Sequence, residues 1–268
     1  MKKGRRVMKK PIGKFNKAGE LSWVFAIILV AFGVSLCKKA DLGVSMVAAP
    51  PFIVYEAVGK YWSGFSVGML EYLIQGFVLI IMCVAVQRFN WRYLLAFACA
   101  VIYGYTLDLW FLILGKEAFR PLYLRWIMLI VGDSITAIGV ALYFRTYMPL
   151  QVYELFVAEL SDRYKLNVNR TKLIYDISSL VLSACLAVIL FRDVTTFDWK
   201  SIYYTSYHSI GLGTIVTTLI NAPLITLFGK LLDKFLKYEP MFPKLYKVLA
   251  RNGNKNEENK EEECPISE

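Results

Sequence analysis

Apolar and polar residues fall along this chain in long blocks rather than in short amphipathic periods. Crossing a bilayer core takes roughly 20 largely apolar residues in a helix. The blocks predict six such helices: Leu21–Leu36, Ser66–Val86, Tyr93–Leu114, Leu122–Phe144, Leu173–Phe191 and one within Ile202–Leu232. Gln87–Arg92, Gly115–Arg120 and Arg192–Lys200 read as short polar loops, and Arg145–Lys172 as a polar, partly amphipathic connector. The last block carries Gly211, Gly213, Thr214, Asn221 and Pro223. It is expected to kink or split, because an internal proline removes a helical hydrogen bond.

One stretch breaks the block pattern. Cys37–Lys60 is apolar from Leu42 to Val58, yet it opens on Leu42-Gly43-Val44-Ser45, holds Pro50-Pro51 at its middle and carries Glu56 near its end. It is too short and too interrupted to cross, and predicts a broken helix, re-entrant or interfacial. Irregular backbone survives at membrane depth only where protein or a wet cavity surrounds it. A site is therefore sought here first, although a plain amphipathic connector fits the same residues.

The chain divides into a basic arm (1–20), a first membrane half (21–118), a second (119–232) and a charged tail (233–268) in which Asn252–Glu263 is expected to be disordered. The run after the arm shows no cleavage pattern, so it reads as a span rather than a signal peptide. Met1–Lys17 holds eight Lys/Arg and no acid. The arm is expected to rest on anionic lipid headgroups, at about 1 kcal/mol per basic residue. With the N-terminus inside, 23 Lys/Arg lie on the cytoplasmic side and 8 on the other. That bias predicts both termini in the cytoplasm.

Composition narrows the class further. At 57% apolar residues, the chain exceeds the roughly 45–50% of soluble domains, and the bilayer is its expected partner. The net charge of +10 sits in tails and loops with no stacking aromatics interleaved, so no nucleic-acid partner is expected. Five cysteines without a CxxC pair and a lone His208 predict neither disulfide framework nor metal site. His208, among Tyr203, Tyr204 and Tyr207, reads as part of an interfacial belt. Without GxSxG, HExxH or a Walker loop, no enzyme activity and no cofactor is expected.

The two halves repeat one another weakly. Gly33-Val34-Ser35-Leu36 matches Gly139-Val140-Ala141-Leu142, Lys39 falls opposite Arg145, and Leu42-Gly43 falls opposite Met148-Pro149. Each half continues with a short amphipathic stretch, a helix, a polar turn with an aromatic (Asn90-Trp91 and Asp198-Trp199) and another helix. Three spans per half would orient the halves oppositely, the plan of many secondary transporters, whose substrates lie near the midplane.

Ionisable groups inside a span cost about 2.5–3.5 kcal/mol on insertion scales, so they normally face a partner or a cavity. Glu71 and Gln75 lie one turn apart on one face, and Asp176 occupies the corresponding part of the second half, one turn from Lys172. The pair Glu71 and Asp176 could bind a cation or relay a proton; equally, Lys172 could neutralise Asp176 while Glu71 reaches headgroups. Asp108 has no basic residue within a turn and is the foremost pathway candidate. Asp133, between Gly132 and Ser134, reads better as a helix-packing residue. Ser45 and Gly43 could start a helix Met46–Val58 and present its N–H groups to an anion, or act only as a cap. Asn221, near Pro223, fits either backbone satisfaction or cavity lining. Gly211-Leu212-Gly213-Thr214 is not a phosphate loop, since no strand precedes it and no Lys follows; its glycines suit tight packing.

These motifs carry a family likeness. The glycine-rich first helix, Ala40-Asp41-Leu42-Gly43-Val44-Ser45, Tyr105-Thr106-Leu107-Asp108-Leu109, Gly139-Val140-Ala141-Leu142-Tyr143 and Gly211-Leu212-Gly213-Thr214 resemble the YczE/YyaS/YitT-like bacterial integral membrane proteins over about Ser22–Leu232. The resemblance implies a bacterial cytoplasmic-membrane protein and no agreed biochemical activity. Met46 and Ala48 stand where such proteins usually have proline and aspartate, and Met148-Pro149-Leu150-Gln151-Val152 replaces Leu-Gly-x-Gly-Pro.

The sequence thus predicts an all-α membrane protein of about six spans in two inverted three-helix repeats, with short amphipathic or re-entrant segments. Its expected function is that of a small-solute or ion-coupled transporter or exporter, with a path lined by Asp108, Glu71, Gln75, Asp176, Asn221, Ser45 and Gly43. The second reading is a membrane accessory or scaffold that transports nothing.

Overall fold

Each apolar block folds as one long helix. The protein is described by a computed structural model at residues 19–59, 61, 62, 64–87, 89–115, 121–191, 206, 209–236, 241 and 242. Residues 1–18 of the basic arm, the Arg192–Lys200 loop with Asp198-Trp199, the belt of Tyr203, Tyr204, Tyr207 and His208, and the Asn252–Glu263 tail lie outside the described residues.

Eight helices and no strand occur among the described residues: α1 (Gly19–Ala40), α2 (Ala49–Val58), α3 (Val67–Val86), α4 (Trp91–Leu114), α5 (Leu122–Tyr143), α6 (Val152–Arg163), α7 (Val168–Phe191) and α8 (Leu212–Phe235). All but α2 and α6 are long and apolar enough to cross a membrane. Exposed apolar side chains such as Val84, Leu112 and Ile189 cover the outer helices, as expected for surfaces that meet lipid.

The expected boundaries hold to within a few residues, with three corrections. Pro50-Pro51 does not break a helix at its middle. Both prolines sit in the first turn of α2, where backbone N–H groups have no helical partner to lose. The helix therefore begins at Ala49, not Met46. Secondly, α7 starts at Val168, so Lys172 lies inside it rather than in the preceding connector. Thirdly, α8 runs unbroken through Pro223.

At the centre α1 and α5 pack along their lengths. Small residues permit the approach: Gly33 lies against Gly132 and Thr136, and Gly139 lies against Ala26 and Val30. A Cβ on Gly132 would stand 2.8 Å from the Gly33 carbonyl oxygen, so any larger residue would push the helices apart. Around this pair α4 packs on α1 and α8 on α5, with α3 against α4 and α7 against α8. The short helices cross between the groups, α2 touching α3 and α7, and α6 touching α7 and α3. Every one of these packings recurs four elements later. The connections Asp41–Ala48 and Phe144–Gln151, joining α1 to α2 and α5 to α6, are each eight residues long.

The matched cations behave alike. Lys39 Nζ donates to the Leu114 carbonyl at the end of α4. Arg145 binds Asp233 in the last turn of α8, with Nε 2.6 Å from Oδ1 and Nη2 3.0 Å from Oδ2. Both stand where cations favour a helix C-terminus.

Candidate functional site

The Leu42-Gly43-Val44-Ser45 turn serves α8 before it serves α2. Gly43 holds φ at +111°, a conformation open to glycine and strained for other residues. This lets the chain lie flat on the start of α8, where Gly213 N–H donates to the Leu42 carbonyl at 2.8 Å and Val44 N–H donates to the Ser209 carbonyl at 3.0 Å. A Cβ on Gly213 would stand 2.6 Å from that Leu42 oxygen. The glycines of Gly211-Leu212-Gly213-Thr214 are thus a packing device. Ser45 does not cap α2 through its side chain, since α2 has no side-chain cap; its carbonyl accepts from Ala48 and Ala49 N–H.

What Ser45 does line is a small cavity of about 30 Å³ at the middle of the fold, room for a water molecule or a small cation. Its polar wall comprises Ser45, Glu71, Gln151, Glu154, Lys172 and Asn221, with Tyr103, Tyr153 and Thr136 completing it. Five pairs of lining residues are each 106 positions apart: Val30 and Thr136, Val34 and Val140, Ser45 and Gln151, Val47 and Tyr153, Ala48 and Glu154. Glu71 and Lys172 are each the fifth residue of their helix, α3 and α7, and Gln75 and Asp176 each the ninth.

One turn along from the cavity, Gln75 Nε2 donates to Glu71 Oε1 at 3.3 Å, and Lys172 Nζ stands 3.0 Å from Asp176 Oδ1. All four side chains are buried. Protein donors do not satisfy this centre. Gln75 Oε1, Glu154 Oε2 and Asn221 Oδ1 lack a hydrogen-bond partner, while the Asp176 carboxylate pairs with the Lys172 ammonium at 3.0 Å and Glu71 has the Tyr153 hydroxyl beside it. Buried polar groups are ordinarily paired, and every oxygen in this group can only accept once the acids are ionised.

Charge points the same way. Three carboxylates face one ammonium and the N-termini of α2 and α6, whose N-cap residues Ala48 and Gln151 line the cavity and whose dipoles are each worth about half a positive charge. With all three acids ionised, roughly one negative charge is left over, and a proton taken up by one of them cancels it. Burial holds the pKa of Glu154 above the usual carboxylate range, and the Lys172 ammonium offsets only part of that rise. Among the described residues no group of three His, Cys, Asp or Glu side chains is placed to hold a metal. The centre thus presents acceptor oxygens to the cavity.

The structure therefore brings Glu71, Gln75, Asp176, Asn221 and Ser45 to one place. It puts two other expected pathway residues elsewhere. Gly43 is the joint to α8, and Asp108 Oδ1 accepts from Gly68 N–H at 2.8 Å, capping α3 beside Ser66, which accepts from Met69 N–H. Asp108 sits at the Gly68–Gly104 crossing of α3 and α4, away from the cavity wall. Glu56 pairs with Lys38 at 2.6 Å. Glu154, Gln151, Tyr153 and Tyr103 were not singled out as site residues from sequence. The repeat held a signal for three of them, since aligning Leu42-Gly43 with Met148-Pro149 sets Gln151, Tyr153 and Glu154 opposite Ser45, Val47 and Ala48.

Six apolar helices around a buried, acid-rich centre define a multi-pass helical membrane protein. A family model described as a family of unknown function (DUF6198) matches residues 18–230. The chain belongs to that family. No curated protein and no solved structure matches it.

Proposed function

We propose that this protein is a small transporter or exporter whose central cavity takes up a proton or a small hydrogen-bond-donating cation. The observation that carries this reading is the set of buried, partnerless acceptor oxygens around the cavity. Leaving such groups unpaired is costly, and a fold retains that cost most readily where a ligand supplies the missing donors.

The packing supports two inverted halves, α1–α4 and α5–α8. The recurrence of contacts, the matched connections and the 106-residue pairing of the cavity wall fit a repeat, and three long helices per half oppose its two copies across the bilayer. At 10 and 12 residues, α2 and α6 extend roughly 15–18 Å, about half of a bilayer core. Their buried N-terminal turns suit re-entrant segments that start at mid-depth. Substrate sites of inverted-repeat transporters lie at such an interface. The Lys/Arg bias and the YczE/YyaS/YitT-like motifs support a bacterial cytoplasmic membrane with both termini inside.

Purified protein in proteoliposomes tests this by proton or methylammonium flux under an imposed gradient. Glu71→Gln and Glu154→Gln are expected to lower flux by about tenfold or more, each removing a charge-assisted bond to the cation. Wild type without flux for either probe, together with both variants keeping the cell phenotype of the wild type, would favour the accessory reading.

A further inference from the structure

A second opening adjoins the polar centre. Between α3 and α7 lies a cleft of about 580 Å³, within the size range of small-molecule pockets. Its walls are almost wholly apolar, built from residues such as Ile74, Phe77, Ile81, Phe156, Ile174 and Leu182. Phe77 and Ile174 on its walls are each 63% exposed, so the cleft opens toward the surface that faces lipid. Its floor is formed by the short helices. Val47 and Tyr153 line both this cleft and the central cavity, and the Tyr153 hydroxyl stands beside Glu71. Thr171 lines the cleft while its neighbour Lys172 lines the cavity. Val47 and Tyr153 thus form the wall between a cleft open to hydrocarbon and a set of acceptor oxygens.

We propose that the substrate is an amphiphilic ammonium, whose head is held by Glu71, Glu154 and Asn221 while its hydrocarbon chain lies in the α3–α7 cleft, which admits it sideways from the bilayer. This deepens the transporter reading and rests on it. The two openings ask for opposite chemistry, and one molecule supplies both. An ammonium head brings the N–H donors that the buried oxygens lack and one positive charge for the surplus negative charge. An alkyl chain suits the apolar cleft, where a polar substituent would lose its water without gaining a partner. A neutral lipid chain would fill the cleft and leave the oxygens unpaired. A small inorganic cation would satisfy the oxygens and leave the cleft unused.

The test uses the purified full chain in non-ionic detergent and follows its thermal unfolding midpoint against increasing octylammonium, methylammonium and octanol. Octylammonium is expected to raise the midpoint and to half-saturate at a concentration at least about tenfold below methylammonium, since the buried chain adds affinity. Octanol is expected to give no rise. Glu71→Gln should weaken octylammonium about tenfold. Ser178→Trp, which projects a ring into the cleft from α7, should weaken octylammonium and leave methylammonium unchanged. Equal half-saturation by the two amines would overturn the amphiphile and leave the central cation site standing. Octanol acting as strongly as octylammonium, in wild type and Glu71→Gln alike, would reduce the cleft to a lipid site and overturn the proposal. No response to any of the three would overturn both this proposal and the cation site beneath it.

Discussion

The acids inside the helices separate into two trades. Asp108 ties α4 to the first turn of α3 through the Gly68 N–H, whereas Glu71, Glu154 and Asp176 converge on the centre with oxygens to spare. Sequence marks Asp108, Glu71 and Asp176 as out of place in hydrocarbon but does not sort them, and it leaves Glu154 in a connector. An α-helix that is apolar all round has no amphipathic period to reveal which face turns inward, so its rotation is set by neighbours that lie far along the chain. The intramembrane acid rule thus groups Asp108 with Glu71 and Asp176, while the fold sets Asp108 on the start of α3, apart from the cavity. Asp108→Ala removes a cap, and such losses cost about 1 kcal/mol. We expect a lower unfolding midpoint for this variant with flux per folded molecule unchanged; a loss of flux at full stability would return Asp108 to the pathway.

Among elements, the long helices were legible because burial of backbone polar groups leaves a membrane block little choice but to be helical. The short ones were harder. Pro50-Pro51 reads as an interruption until the start of α2 is known, and then reads as a first turn. The start of α7 was missed by five residues because Asn169, Arg170 and Lys172 look like connector, although Lys172 is buried against Asp176. The glycine turn before α2 was noticed for the wrong helix. Its backbone meets the N-terminus of α8, 171 positions away between Leu42 and Gly213, and local pattern carries no trace of so distant a partner. Gly43→Ala would force φ near +111° on a residue with a Cβ, a strain of order 1–3 kcal/mol, before any clash with Thr214. The expected result is a marked fall in the unfolding midpoint, largest for the α8 region when followed by hydrogen exchange.

At the scale of the whole molecule, the weak tetrapeptide match falls on residues with matching contacts. Gly33 and Gly139 occupy equivalent places on the α1–α5 seam, and Lys39 and Arg145 each secure the last turn of a long helix. The tertiary plan was therefore more visible in the order of the blocks than in their identities. What no block order shows is the exchange of short helices, with α2 reaching α7 and α6 reaching α3. This exchange stitches the halves together and places both short N-termini at one cavity.

That cavity is matched in position and unmatched in chemistry. Ala48 faces Glu154, Val47 faces Tyr153, and Glu71 faces Lys172 across the pairing. Two halves of equal chemistry, rocking about a shared seam, would give two end states of equal energy and a resting population split evenly between the two sides of the membrane. Unequal partners break that degeneracy, and a difference of only about 1.4 kcal/mol already sets a tenfold preference. The unmatched pairs would then act as a bias, setting which side the empty protein faces. Exchanging one pair, Ala48→Glu with Glu154→Ala, conserves composition and net charge while moving the carboxylate to the other half. Its expected signature is a reversal in which side of the membrane a single cysteine near the cavity can be alkylated from; an unchanged labelling pattern would place the bias elsewhere.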